Sequence, residues 1–396
     1  MKRHLIGIGG VGMSALAVAL LEHGDEVTGA DRNLSTPNIR FLESLGVRCF
    51  PDDGSGVDSA TGEVIVSTAI EDGNAGLLKA RAAGIPVTHR AVALARTLGD
   101  RKLVAVVGTC GKSTVTAMLG HVLAECGMDP FCVNGANVPG WKGAVRPGGG
   151  IYAVAEVDES DRSLVAFKPY AAIVTNASAD HYSKEEMDEV FDAFVAGAEG
   201  PVVDGRKGAG MAAECSMPGL HNRQNAALAL AMAVALGCDE AAARAALMTF
   251  RGVERRLQRY GSRVYDDYAH NPEKLRAMAT TLKEAHPGPL CIVWRPHGYG
   301  PLRKMKDALA AMFNETLGPG DTLVLLPVYD AGGTADRSIN SPALAAMLKP
   351  GLCRLAGDLD EAYRWISCRV GDYAAFAVCG ARDPGLPLLA ARIAEL

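Results

Sequence analysis

The sequence predicts an α/β protein of three consecutive domains, and three observations carry that expectation. Short apolar runs of strand length alternate with longer helical stretches along the whole chain. Two of those runs, at 4–6 and 103–107, feed directly into glycine turns that open a helix. The 396 residues also exceed what one hydrophobic core usually organises.

The first domain, residues 1–99, opens on a strand at 4–6, a turn holding Gly7, Gly9, Gly10 and Gly12, and a helix running to about 23. A second strand ends at Asp31. This is the opening of a Rossmann-like βαβ unit: the glycines let the backbone approach a diphosphate, and the acid is placed to meet a ribose. Gly9, Gly10, Gly12, Ser14 and Asp31 are therefore candidate substrate contacts, although G-x-G-x-x-G alone does not tell a dinucleotide from a nucleotide sugar. Further strands are expected at 47–50, 63–67 and 86–88. Lys2 and Arg3 before an apolar stretch also have the outline of a secretory signal, but the four glycines interrupt such a helix. No other stretch reaches the length of a membrane span, so the expected compartment is the cytoplasm.

The second domain, residues 100–248, begins with the strand at 103–107 and then Gly108-Thr109-Cys110-Gly111-Lys112-Ser113-Thr114. A buried strand, a glycine turn and Lys-Ser at a helix start make a phosphate cradle. Backbone N–H groups and the helix N-terminus face the anion, Lys112 adds a full charge, and Ser113 can ligate Mg²⁺. The usual pattern has four residues between its glycines; here Gly108 and Gly111 have two. Another apolar run, 151–157, ends in Glu156, Asp158, Glu159 and Asp161, carboxylates placed to hold Mg²⁺ directly or through water. A strand at 171–176 leads to His181, which is either a solvated loop residue or, past a third strand end, part of a metal site. Asn222 and Asn225 enter an alanine-rich helix three residues apart, on one face, as a helix cap or as partners for a purine edge.

The third domain, residues 249–396, starts with Gly252-Val253-Glu254-Arg255-Arg256 and a strand at 263–265 that ends in Asp266-Asp267-Tyr268-Ala269-His270. Strands at 290–294, 322–328 and 374–378 follow. The loops after them carry His297, residues 330–336 and Gly380-Ala381-Arg382-Asp383, on the edge where open parallel sheets bind ligands.

Composition narrows the functional classes. A hydrophobic content of 48% with 21% charged residues suits a globular enzyme, and a net charge of −5 without basic, aromatic-interleaved runs argues against nucleic acid. The ten cysteines are scattered without any C-x-x-C pair, which fits reduced thiols rather than a disulfide framework or a metal site.

Seven stretches in register along the chain resemble the Mur ligase family: GIGGVGMSALA, VVGTCGKSTVTAML, AEVDESDRS, IVTNASADH, PGLHNRQNAALA, FRGVERRLQRYG and DDYAHNP. The resemblance implies a first domain for a UDP-sugar, a central P-loop domain for ATP and Mg²⁺, and a Rossmann-like C-terminal domain for the incoming amino acid. It implies an amide ligase of peptidoglycan precursor synthesis. A UDP-N-acetylmuramate-type carboxylate attacks the γ-phosphate of ATP, and an amine, L-alanine or another amino acid or peptide, then displaces phosphate from the acyl phosphate. By this similarity Gly108, Thr109, Gly111, Lys112, Ser113 and Thr114 hold the phosphates. Ser113 and Glu156 ligate one Mg²⁺, and His181 ligates a second metal. Asn222 and Asn225 face adenine, Arg256 with Arg255 reaches the γ-phosphate, and Asp267 meets the ribose or the domain junction. His270 and His297 fall on the amino-acid side.

The chain departs from the family's alanine-adding members at four places. Cys110 and Ser113 stand where His and Thr are usual, and Pro51 to Gly54 replace a Gly-His. The segment between His181 and Gly219 is shorter. Gly298 and Pro301 occupy positions usually held by arginines, so Arg303 is the remaining candidate for that substrate grip unless the amine differs. A nicotinamide-dependent oxidoreductase would need no phosphate loop, Glu156 or His181. The alternative of another class is an ATP-binding regulatory protein without ligase activity.

Overall fold

The computed structural model describes residues 1–158, 163–177, 184–208, 210–330, 336–380 and 382–396. The first α/β unit runs through β1 (Lys2–Ile6), α1 (Val11–Glu22), β2 (Glu26–Asp31), α2 (Pro37–Ser44), β3 (Arg48–Pro51), β4 (Glu63–Val66), α3 (Ala75–Ala82), β5 (Val87–His89) and α4 (Arg90–Leu98). Its five strands are all parallel, in the order β3-β2-β1-β4-β5. The apolar start that resembled a secretory signal is thus the middle strand of a sheet. The chain leaves β1 toward β2 and later crosses to β4 on the other side, so the glycine turn after β1 lies at a topological switch point.

The second sheet is built from β6 (Lys102–Val107), β7 (Phe131–Val133), β8 (Val145–Arg146), β9 (Tyr152–Glu156), β10 (Ala171–Val174) and β11 (Val202–Asp204). Its order is β11-β10-β6-β9-β7-β8, with only β8 antiparallel to its neighbour. The helices are α5 (Lys112–Glu125), α6 (Lys184–Val195), α7 (Leu220–Ala235) and α8 (Glu240–Thr249). The β10 strand ends two residues before the expected 176, because Thr175 and Asn176 turn away to bond the phosphate loop. The shortened segment after residue 183 is closed by one arginine. Arg206 pairs with Asp188 at 2.9 Å, Asp192 at 2.6 Å and Asp204 at 2.8 Å, tying α6 to the edge strand β11.

The third sheet has the order β12-β13-β17-β14-β15-β16, parallel except for β12. Its strands are β12 (Gln258–Tyr260), β13 (Val264–Asp267), β14 (Leu290–Arg295), β15 (Thr322–Leu325), β16 (Cys353–Leu355) and β17 (Ala375–Gly380). Packed on it are α9 (Pro272–Ala285), α10 (Tyr299–Thr316), α11 (Ser341–Ala345), α12 (Leu359–Ser367) and α13 (Gly385–Ala394). The β15 strand stops short of the expected 328, since Pro327 has no N–H to give the ladder.

The chain forms two compact units, residues 1–216 with 223–251, and residues 217–222 with 252–396. Within the first, one apolar core runs from Leu16 and Leu20 of α1 through Leu94 and Leu98 of α4 to Ala105, Phe131, Ala153 and Phe191 around the second sheet. Each such buried leucine contributes about 1.5–3 kcal/mol. An ion pair between Lys142 and Glu22, 2.5 Å, joins the same two layers at the surface. Among the described residues no helix is long and apolar enough to cross a membrane.

Candidate active site

The phosphate loop takes its shape from the strand pairing beneath it. β6 lies between β9 and β10, so its C-terminal turn is flanked by the ends of both. Gly108 has φ +129° and Gly111 φ +84°, backbone that side chains with a Cβ rarely adopt. Gly111 caps α5 without any side-chain acceptor, which leaves the first N–H groups of the helix for an anion. Asn176 fixes the loop from the neighbouring strand. Its Oδ1 accepts the Cys110 N–H at 3.0 Å, its Nδ2 donates to the Cys110 carbonyl at 2.9 Å, and its own carbonyl accepts the Thr109 N–H at 3.2 Å. Thr175 Oγ1 donates to the same Cys110 carbonyl at 2.6 Å. The Lys112 ammonium folds back over the loop to the Gly108 carbonyl, 2.6 Å away, while Ser113 and Thr114 begin the helix as buried hydroxyls.

Glu156 ends β9 directly beside this loop, opposite Val106 in register. Its Oε2 accepts the Gly135 N–H at 2.8 Å, and a Cβ at Gly135 would collide with the carboxylate. Asn134, 3% exposed, has an Oδ1 without a hydrogen-bond partner among the described residues. Asn225 presses its amide onto Gly111, with Oδ1 2.6 Å from where a Cβ would stand. Asn222 is also buried, but its Nδ2 turns back to the Pro218 carbonyl at 2.7 Å. The two asparagines of α7 therefore have different partners. His181 lies outside the described residues.

At the first switch point, Gly9 N–H donates to Asp31 Oδ2 at 2.9 Å, and Asn38 Nδ2 donates to the Gly9 carbonyl at 2.8 Å. Asp31 also accepts the Asn33 N–H at 3.0 Å, so it shapes the turn. Ser14 is buried and donates to the Val11 carbonyl at 3.0 Å. Gly10 caps α1 with no side-chain bond. The Arg90 guanidinium lies against Gly12, with Nη1 2.9 Å from a Cβ built there, and brings a cation to the turn from 78 residues away. Sequence reading passed over Arg90, since nothing in its local pattern points to that glycine.

The second unit gathers a separate cluster at the C-terminal ends of β13, β17 and β14. Tyr268 is its hub. Arg255 and Arg256 stand over its ring at 5.1 and 5.3 Å, and His270 and His297 lie 5.3 and 5.9 Å from it. The two histidine rings lie 5.2 Å apart, tilted by 33°. Burial, then the charges of Arg382 and Arg255, hold the His297 imidazole below its ordinary pKa, so it is neutral at neutral pH and able to accept a proton. Arg255 and Leu257 have φ of 57° and 47°, strain concentrated in the turn that presents Arg256. Asp267 anchors that turn by accepting the Leu257 and Ala269 N–H groups, each at 2.7 Å; burial raises its pKa against the pull of Arg256. Arg303 stands elsewhere on α10, paired with Asp336 at 2.8 Å and Ser338 at 2.9 Å.

Burial pushes Asp266 up to about 7 despite Arg255 at 3.3 Å. Ionising it costs the folded state, so its contribution is fully present below the unfolded value near 4 and is lost as pH rises through 7. Asp266→Asn keeps an acceptor for Arg255 and removes the titration. Its loss of stability between pH 5 and pH 8 in urea melts is expected to be smaller than that of the parent by up to about 3 kcal/mol. Equal pH dependence in the two proteins would contradict this.

These features define a protein class: a multi-sheet α/β nucleotide binder with a strand–loop–helix phosphate cradle and a cationic, histidine-bearing second edge. A family model described as Mur ligase family, catalytic domain, matches residues 2–102, and one described as Mur ligase, glutamate ligase domain, matches residues 254–382. The UDP-N-acetylmuramate–L-alanine ligase of Paenarthrobacter aurescens is 35% identical over 83% of this chain and 83% of its own. That of Thiobacillus denitrificans is 33% identical over 91% of this chain and 89% of its own. The solved UDP-N-acetylmuramate-alanine ligase of Thermotoga maritima superposes with a TM-score of 0.83 at 25% identity, over 100% of this chain and 98% of that one. A murein peptide ligase of Psychrobacter arcticus shares the fold at TM-score 0.66 and 19% identity, over 100% and 99% of the two chains. The chain belongs to the Mur ligase family.

Proposed function

We propose that this chain is an ATP-dependent ligase of peptidoglycan precursor synthesis that joins the carboxylate of UDP-N-acetylmuramate to L-alanine through an acyl phosphate. The observation that carries the reading is the phosphate loop, clamped by Asn176 on one side and flanked by Glu156 on the other. Phosphoryl transfer between two anions needs positioning and charge neutralisation more than covalent help from the protein. Lys112 neutralises the transferred phosphoryl group, the N–H groups from Gly111 to Thr114 at the start of α5 orient it, and Asn225 borders the loop on the nucleotide side. On this reading residues 1–99 bind the sugar nucleotide, residues 100–248 bind ATP, and residues 249–396 bind the amino acid. Arg256 serves the γ-phosphate.

The donor set beside the loop fits Mg²⁺. A hydroxyl, a carboxylate and the unpartnered Asn134 oxygen are hard ligands, suited to an ion that keeps several waters. Ser113 and Glu156 would hold it, and His181 a second metal; bound there, Mg²⁺ would shield the phosphate oxygens from the incoming carboxylate. Glu156→Gln is expected to raise the Mg²⁺ needed for half-maximal turnover at least about tenfold. An unchanged metal titration would remove Glu156 from the site. The expected compartment is the cytoplasm.

The direct test is phosphate release from ATP with UDP-N-acetylmuramate and a panel of amines. Release that needs both the sugar acid and L-alanine supports the proposal. ATP binding with no productive acid and amine pair would overturn it in favour of a regulatory protein.

A further inference from the structure

Gly298 and Pro301 leave the second unit without two cations that a carboxylate-bearing amine would need, and the structure offers a replacement from another strand. β17 lies between β13 and β14, so the turn after it emerges between Tyr268 and His297. Gly380 starts that turn at φ +118°, where a Cβ would run into the Arg295 carbonyl. Three residues on, Asp383 is buried, pairs with Arg295 and accepts the Gly385 N–H at 2.8 Å as α13 begins. Arg382 is therefore held between two fixed points.

Its Nε–H donates to the Tyr268 hydroxyl at 3.1 Å, and its charge is felt at His297. Among the described residues no carboxylate pairs with Arg382, whereas Arg255 faces Asp266, Arg295 faces Asp383 and Arg303 faces Asp336. The second observation is at His297, whose buried Nδ1 has no hydrogen-bond partner among the described residues. A guanidinium with an uncommitted fork and an unsatisfied ring nitrogen thus meet at one tyrosine, on the ligand-binding edge of a parallel sheet.

We infer that Arg382 grips the α-carboxylate of the incoming amino acid and takes the place of the arginines absent at 298 and 301. The inference rests on the ligase reading above and sharpens it. The guanidinium addresses the carboxylate while the neutral His297 imidazole, packed on the same tyrosine, meets the amine. That pairing selects a free α-amino acid over a preformed peptide, whose first residue carries no carboxylate.

Steady-state phosphate release with saturating ATP and UDP-N-acetylmuramate, comparing L-alanine, L-alaninamide and an L-alanyl dipeptide, tests this in the parent and in Arg382→Gln and Arg382→Lys. Arg382 is exposed, so both variants should fold with an unchanged melting temperature. Arg382→Gln is expected to raise KM for L-alanine about 10- to 100-fold, with KM for ATP unchanged. Lysine should recover part of the loss, and L-alaninamide, a poor substrate throughout, should be no worse with the variant than with the parent. A KM for L-alanine within twofold of the parent's, or equal losses for L-alanine and L-alaninamide, overturns the assignment while leaving the ligase standing. A parent that prefers the dipeptide overturns it as well. A parent that releases phosphate with none of these amines overturns the ligase reading and the assignment together.

Discussion

Lys112→Ala is expected to lower turnover by about three orders of magnitude while shifting stability by less than about 1.5 kcal/mol. The asymmetry follows from where the side chain is. Its ammonium reaches the Gly108 carbonyl at 2.6 Å across the loop it would share with a phosphate, and it contributes nothing apolar to the core of the first unit. The backbone of the cradle is held from outside by Thr175 and Asn176, so it should survive the loss of the lysine. Single-turnover phosphate release together with a thermal melt separates the two effects. Near-normal turnover in the variant would sink the assignment of the loop, and a collapsed melt would show that Lys112 is structural.

The opposite balance is expected for Gly108→Ala. A Cβ there would fall inside the contact radius of Thr175 Oγ1 and stand 3.0 Å from both the N and the O of Asn176, on backbone already at φ +129°. Strain and collision together should cost at least about 3 kcal/mol, or roughly 6–12 °C in melting temperature for a unit of this size. Because the displaced atoms are those that clamp the loop, ATP should also lose its stabilising effect on whatever remains folded. Gly127 is the control: it has φ +79° with open space around it, so Gly127→Ala should show the backbone strain alone, about 1 kcal/mol, with ATP stabilisation intact. Equal melting losses in the two variants would refute the clash.

Both predictions rest on features that differ in how far the sequence discloses them. The loop itself is legible, because an apolar run, two glycines and Lys-Ser lie within a dozen residues and each has a local physical meaning. The same holds for Asp31, at the end of a strand whose length the pattern gives, and for the C-terminal edge that carries Tyr268 and His297. What holds the loop is not legible. Asn176 and Thr175 act on Cys110 only because β10 pairs with β6, and strand order is a property of the sheet rather than of spacing. Arg90 over Gly12 and Gly135 under Glu156 are hidden for the same reason. Arg382 is an intermediate case. It follows a glycine at a strand end, which was visible, but its approach to Tyr268 depends on β17 being inserted between β13 and β14. Short edge strands such as β11 and β16 also escape detection, since three residues cannot establish a period.

The core that runs unbroken from α1 and α4 into the second sheet has a thermodynamic consequence. Leu94 and Leu98 cannot be exposed without loosening Ala105 and Phe131, so the sheet with the turn at 7–12 and the sheet with the loop at 108–114 are expected to melt as one cooperative body. Stabilisation by a ligand at either turn is then shared by both. A nucleotide on one sheet makes the other harder to unfold even without a change of shape, and the second ligand meets a partner whose disorder has already been reduced.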